Sequence, residues 1–280
     1  MSEILRLQPG VVINEIRAGV IEVISTPKPS EAPRVEPATR PGTEKAKALF
    51  GENFLGEEVI HVMESKFKAA GVNVKFEIPT DRFPYSDTDV EKAKQDEARG
   101  RGRLIVLRPE FMTVKKGGKD VKKPVNIINL RELFKKEKKN VLGQVTEVTY
   151  DNNPFGSGTV FYNQNWYNKD EDFATLSLKP GYAMPTKEVV NDSRSKDWNT
   201  QQALLEPGER RREANEVVWD TLLYYGATGK KILEKDYDWT SSRASDGRLV
   251  SVGYFASAGL RLSHWNPSDS NAYLGVCPSR

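Results

Sequence analysis

One cysteine, Cys277, stands in 280 residues, so one chain can form neither a disulfide nor a thiolate cluster. Two histidines, His61 and His264, leave little for a zinc site. No apolar run approaches the ~20 residues of a membrane-spanning helix. The opening MSEILRLQPG has no basic stretch followed by an apolar one, so a secretory leader is not expected and the location stays open. No phosphate loop is present. Gly100-Arg101-Gly102 precedes a strand-like run instead of following one, and Gly156-Ser157-Gly158 lacks both the lysine and the helix. No nucleophile triad stands out: His61 lies beside Val62 and Met63 on a predicted helix, and His264 beside Trp265 reads as a contact residue, not a general base. These absences argue against a disulfide-stapled secreted module, a membrane protein and a Cys/His metalloprotein. No cofactor or metal is expected.

What is present is enough apolar material for a core, 38% of residues, with 29% charged. The length fits one large domain or two small ones. Val11-Val12-Ile13 and the run 20–24 could pair as a marginal hairpin around Arg17-Ala18-Gly19, and prolines at 27, 29, 33, 37 and 41 then mark a linker or arm over residues 1–42. Disorder is the default for such an arm, and crossing onto a neighbouring copy to make an oligomer is its other use. Residues 43–103 read as a helix-rich segment packing on the main domain. A helical stretch opens at Thr43 and Glu44 and continues from Gly56 to Ala70, with Val59, Val62, Met63, Phe67 and Ala70 as its apolar face and Gly71 as its stop. VNVKFEI over 72–78 alternates like a strand, Ser86-Asp87-Thr88-Asp89 starts a polar surface helix reaching Arg99, and Leu104 to Leu107 is a short buried strand.

Charge is unevenly spread. Lys plus Arg is 42 and Asp plus Glu 39, a formal +3, yet residues 115–139 alone hold ten bases against three acids. That stretch reads as a solvated lysine face with a loop at Gly117-Gly118. Phe134 is its one aromatic, so stacking on single-stranded nucleic acid is not expected and only a nonspecific phosphate contact stays open. From Leu142 aromatics rise among Asn, Asp, Gly and Ser, as in a loop-rich domain with short strands. Ala214, Val217, Val218, Thr221, Leu222 and Tyr225 then predict a helix with one face on the core and Gly226 as its stop.

After Lys235 there is no lysine. Short apolar elements alternate with turns, and Asp246-Gly247 and Ala258-Gly259 predict hairpin turns, because glycine tolerates positive φ. Between the regular apolar residues lie chemically unrelated ones. Any half-exposed sheet looks so. The sharper reading is a rigid frame presenting an adaptable contact surface of small residues with Tyr, Arg and His.

Residues 239–255 (WTSSRASDGRLVSVGYF), followed by Ser257-Ala258-Gly259, Trp265-Asn266-Pro267, Ser270 and LGVCPSR to Arg280, resemble the variable protein of a diversity-generating retroelement. Upstream, MPTKEVV from Met184, Trp198, LLYY from Leu222 and LIVLR from Leu104 are similar too. The resemblance implies an α+β, C-type lectin-like fold, related to the formylglycine-generating enzyme, over 104–280, with short antiparallel strands, supporting helices, long loops and a variable region at about 240–280. It implies that a reverse transcriptase copies a template repeat and randomises adenines, so that interleaved positions diversify on a fixed frame. The implied frame is Gly247, Leu249, Val250, Val252, Gly253, Phe255, Ser257, Gly259, Trp265, Pro267 and Leu274. The implied ligand-binding positions are Ala244, Arg248, Ser251, Tyr254, Ala256, Ala258, Arg261, Ser263, His264, Asn266, Ser268, Asp269, Asn271, Ala272 and Tyr273, with Tyr254, Arg261, His264 and Tyr273 as first anchors. The partner would be a protein or cell-surface ligand of unknown identity, bound without catalysis. The alternatives are an oxidase-like enzyme of the related fold and an assembly protein with a phosphate-contacting basic region. The enzyme resembles a copper site needing two nearby cysteines, where this chain has one. The sugar-binding calcium pattern is missing, since Glu206-Pro207-Gly208 and Trp265-Asn266-Pro267 replace it. Asp236, Asp238 and Asp246 lack calcium-loop spacing, and Asp236 and Asp238 are expected to face solvent or sit in turns.

Overall fold

The computed structural model describes residues 41–80, 82–168 and 170–280; the proline-rich arm and the hairpin expected around Arg17-Ala18-Gly19 lie outside them. The first helix, α1 (Pro41–Phe50), buries Ala46 and Phe50. Gly51, at φ 51°, then turns the chain into a short 3-10 turn and the strand β1 (Phe54–Leu55) before α2 (Glu57–Ala69). The helical stretch expected from Thr43 to Ala70 is therefore two helices, divided where the extended pair Phe54 and Leu55 joins a sheet. The buried face of α2 is Ile60, Met63 and Phe67, while Val62 and Ala70 of the predicted face are exposed. β2 (Val74–Phe76) alternates buried, exposed, buried. α3 (Asp87–Gln95) starts at the expected cap: Ser86 Oγ accepts from the Asp89 amide at 3.2 Å, and Asp89 Oδ2 accepts from the Ser86 amide at 2.9 Å.

β3 (Ile105–Arg108) is buried throughout and is the middle strand of a sheet, parallel to β1 and antiparallel to β8 (Gly181–Ala183). β4 (Phe111–Lys116) and β5 (Lys119–Pro124) form a hairpin around Gly117 and Gly118, and β2 pairs with β4. Their lysines are mostly exposed, as the solvated-face reading expects. α4 (Ile127–Glu132), the β6 (Lys136–Lys139) and β7 (Val145–Thr149) hairpin, α5 (Asp172–Thr175) and α6 (Trp198–Gln202) lead to the longest helix, α7 (Ala214–Thr228). A four-stranded sheet follows, ordered β11 (Gly259–Trp265), β10 (Leu249–Ala256), β9 (Tyr237–Arg243), β12 (Leu274–Gly275). The architecture is mixed α+β with small sheets and no barrel among the described residues.

α7 departs from its sequence reading in two ways. It ends at Gly229, whose φ of 71° lets its amide cap the Tyr225 carbonyl. Gly226 lies inside the helix as a packing position, where a Cβ would stand 3.3 Å from the Phe155 ring and 3.4 Å from Met63. Nor does one face alone reach the core: residues 214–226 are all buried. The polar members of that run are buried because charges answer them. Arg108 donates to both carboxylate oxygens of Asp220, at 2.9 and 2.6 Å, and to Glu216 at 2.5 Å. Arg212 donates to Asp220 at 2.9 Å and to Asp238 at 3.0 Å. Asp238 also accepts the Cys277 amide at 2.8 Å. Asp238 is thus fully buried, not solvent-facing as expected, and Asp236 is held by a bidentate Arg194 at 2.8 and 2.7 Å. A second cluster joins Arg103 and Arg280 to Asp96 and Glu209.

Two outcomes follow from the buried pairs. Asp220→Ala strips two guanidinium groups of a counter-charge, and urea denaturation should show a loss of about 3–5 kcal/mol. Burial alone would raise the pKa of Glu216, but the Arg108 charge and the Arg210 hydrogen bond hold it down at about 2. An unfolded glutamate titrates at about 4.3. The folded value is the lower one, so this stabilisation is complete above the unfolded value and is lost as pH falls through the folded one. Urea midpoints measured down the acid range should fall less steeply for Glu216→Gln than for the parent chain.

Candidate ligand-binding face

The register of the C-terminal sheet sorts its side chains. Gly253 pairs with Arg261 and Tyr237, Ser251 with Ser263 and Trp239, and Leu249 with Trp265. These residues share one side. Val250, Val252 and Leu262 share the other and belong to the main core with α7. The first side is not bare. Tyr237, Trp239, Leu249 and Leu274 form a small second cluster, covered by Trp198 and Trp265. Trp265 Nε1 donates to Ser251 Oγ at 3.2 Å, which seals Ser251 beneath it.

Two close backbone approaches shape the edges of this side. A Cβ on Gly253 would stand 2.1 Å from the Asp236 carbonyl oxygen, so only glycine fits. There β10 leaves its register with β11, and the Tyr254 and Phe255 amides donate to Asp236 and Leu233 instead. Tyr254 takes φ 50°, a left-handed conformation that costs a non-glycine residue about 1 kcal/mol. The bulge aims its ring outward. At the other end, a Cβ on Gly259 would meet the Phe161 and Tyr162 backbone at 2.7 and 2.8 Å. That approach lets Leu260 exchange hydrogen bonds with Val160 and Tyr162 and sets Tyr162 beside the sheet.

The result is an exposed aromatic group around one arginine. The Arg261 guanidinium lies 4.3 Å from the Tyr162 ring centre and 5.3 Å from that of Tyr254. Tyr254 stacks on Tyr237 at 5.7 Å and meets Tyr273 edge-on at 6.2 Å, and Tyr273 meets Trp265 at 6.2 Å. Tyr162, Tyr254 and Tyr273 are 37%, 36% and 37% exposed, the three most exposed aromatic residues among those described. Arg261 makes no ion pair among the described residues, and its Nε is buried without a hydrogen-bond partner.

The loop 266–273 carries Tyr273 rigidly. Trp198 and Ser195 amides donate to the Pro267 and Asn271 carbonyls, and the Tyr237 amide to that of Tyr273 at 2.7 Å. Asp269 accepts from the Asn266 amide at 2.7 Å, so these two side chains build the loop. Asn271 likewise accepts from the Tyr273 amide at 3.3 Å.

Of the fifteen expected contact positions, Tyr254, Arg261, Ser263, Ser268, Asn271, Ala272 and Tyr273 lie on this face or its loop with at least partial exposure. Ala256 ends β10 and Ala258 lies in the β10–β11 turn, and Arg248 is paired with Asp246 at the β9–β10 turn. Ala244 and Ser251 are corrections: both are buried, Ala244 against the main core and Ser251 under Trp265. His264 is another. It pairs with Val250 on the opposite side, its ring 4.4 Å from that of Trp166, and burial lowers its pKa, so it stays neutral near pH 7. Sequence reasoning missed Tyr162 and Tyr237, and placed Trp265 in the frame alone. No group of His, Cys, Asp or Glu among the described residues could hold a metal, and no helix there is long and apolar enough to cross a membrane. A cleft of about 440 Å³ lined by Glu64, Lys68, Lys75 and Lys115 includes no residue of this sheet.

Searches against protein-family models, curated proteins and solved structures find no match to the chain.

Arginine substitution separates the surface positions from the buried ones. Ala244→Arg and Ser251→Arg should each cost more than about 2 kcal/mol of unfolding free energy, through overpacking and an unpaired buried charge. Ser268→Arg and Ala272→Arg should change it by less than about 0.5 kcal/mol. Thermal melts of the four variants check the division.

Proposed function

We propose that this chain binds a macromolecular ligand through the C-terminal sheet, without catalysis, and that the face is diversified by a retroelement on a C-type lectin-like frame. The observation that carries the reading is Arg261 held between Tyr162 and Tyr254, with Tyr273 alongside and no carboxylate paired with it among the described residues. Tyrosine and arginine are the residues that dominate interface energetics, because each offers large apolar area with a polar end. An unpaired guanidinium with a free donor favours a ligand that brings an acceptor, such as a carboxylate, to the centre of an aromatic contact.

The retroelement part rests on the sequence resemblance and gains physical support from how the face is built. Side chains at 254, 268, 272 and 273 project from backbone fixed by other residues, so their identity can change while the frame stays. Catalysis of the oxidase kind is disfavoured by Cys277. Its thiol is fully buried and burial pushes its pKa well up, so a thiolate there is scarce.

Two measurements test the reading. Sequencing the gene across a population should find substitutions concentrated at codons 254, 261, 263, 268, 271, 272 and 273, matched to adenines in a nearby template copy. Codons for Val250, Gly253, Gly259 and Leu262 should be constant; uniform variation along the gene would sink the idea. Tyr254→Ala, Arg261→Ala and Tyr273→Ala combined should abolish capture of whatever ligand the parent chain selects from a display library. The triple variant should keep its unfolding free energy within about 2 kcal/mol, since none of the three side chains belongs to the buried core.

A further inference from the structure

The β6–β7 hairpin holds a feature that the C-terminal face does not explain. Val141 and Leu142 sit at its tip and are 101% and 78% exposed, and Val145 beside them is exposed too. Turn tips usually carry polar residues or glycine. This tip is built, not frayed. The Gly143 amide donates to the Asn140 carbonyl, and Asn140 Oδ1 accepts from the Leu142 and Gln144 amides, each at 3.0 Å. Asn140 thus fixes two aliphatic side chains in water with nothing over them.

Cations are concentrated on this hairpin and on the β4–β5 hairpin. β6 supplies Lys136, Lys138 and Lys139, each within 4.0 Å of an exposed or half-exposed carboxylate on its own hairpin or just beyond it. The β4–β5 hairpin supplies Lys115, Lys116, Lys119 and Lys123, which make no ion pair among the described residues. The two hairpins act together electrostatically. The Glu137 carboxyl is held low first by its hydrogen bond to Lys135, and the charges of Lys135, Lys139 and Lys116 add to that.

The chemistry of the patch selects its occupant. Protein interfaces favour Tyr, Trp and Arg and are depleted in Lys. The arginine of this region, Arg131, is spent inside, over the Tyr150 and Tyr167 rings. Single-stranded nucleic acid needs exposed aromatic platforms, and Phe134 is buried. Long lysine stems around a small aliphatic projection suit a different surface: acyl chains take the tip while phosphate and carboxylate headgroups take the ammonium groups. We propose that the β6–β7 tip, with the lysines of both hairpins, docks this protein peripherally on an anionic lipid surface.

Vesicle sedimentation with the full chain tests it. Vesicles of phosphatidylcholine with about one quarter phosphatidylserine should carry the protein down, pure phosphatidylcholine should not, and added salt should release it. Val141→Asp with Leu142→Asp should weaken anionic-vesicle binding by roughly tenfold or more, because the tip then repels the surface it would enter. Lys116→Glu with Lys119→Glu and Lys123→Glu should abolish it. Val141, Leu142, Lys116 and Lys119 are exposed and Lys123 is half-buried without an ion pair, so the melts should stay close to the parent, and Leu142→Ser alone supplies a milder variant with the same direction. Three results overturn the proposal: no sedimentation with anionic vesicles, binding indifferent to the tip, or equal affinity for a short DNA duplex that the tip variant keeps. A fall in solution mass on tip substitution would assign the tip to contact between copies instead.

Discussion

Four charges buried beside the long helix hold the C-terminal half of this protein in place. Arg108 from β3, Asp220 from α7, Arg212 just before that helix, and Asp238 from β9 form an unbroken chain of ion pairs, and the far end of Asp238 receives the Cys277 amide. Taking these groups out of water costs several kcal/mol apiece, and the pairing roughly offsets it, so the chain adds little over a well-packed apolar core. Its consequence is geometric. Slipping β9 by one residue would carry Asp238 to the outer side and bring Tyr237 inward, leaving Arg212 buried without its partner. The network therefore fixes the register of β9, and through β9 that of β10 and β12.

The outer side inherits that precision without depending on it for stability. Trp198 and Trp265 close a small cluster over the sheet, so the exposed side chains stand on a lid of indole and not on the main core. Arg211 stiffens the lid. Its guanidinium lies 4.4 Å from the Trp198 ring centre and donates to the Trp198 and Trp239 carbonyls at 2.8 and 2.6 Å. A change at 268 or 272 is separated from α7 by the lid and a sheet. That separation is what a surface of freely varied chemistry requires.

How much of this the sequence revealed depended on whether a residue's role is local. The turns at Gly247 and Gly259 were legible, since positive φ is a property of the residue itself. So was the Ser86–Asp89 cap, which closes within three residues. Asp238 misled because a carboxylate is exposed by default, and its partner Arg212 lies 26 residues back. Ser251 misled for a different reason. Alternation along a strand predicts one dry side and one wet side, but here a tryptophan lid dries the middle of the second side as well. Tyr162 could not be found at all, because its place beside Arg261 comes from a single backbone bridge between Phe161 and Leu260, far apart in sequence and without a pattern.

The placement of charge along the chain then takes on a physical meaning. A contact surface rich in lysine would hold any anion, because a flexible point charge asks little of its partner's shape. The C-terminal forty-five residues contain no lysine, and the cation at the centre of their face is an arginine with a planar guanidinium between two rings. Such an arginine loses little side-chain freedom on binding and rewards an acceptor only at the right angle. The densest group of lysines lies instead between 115 and 139, on the two hairpins for which docking on a broad anionic surface is proposed, a task that needs no such discrimination. On the two proposed readings, keeping the two kinds of cation on different elements lets one act through charge alone while the other acts through shape.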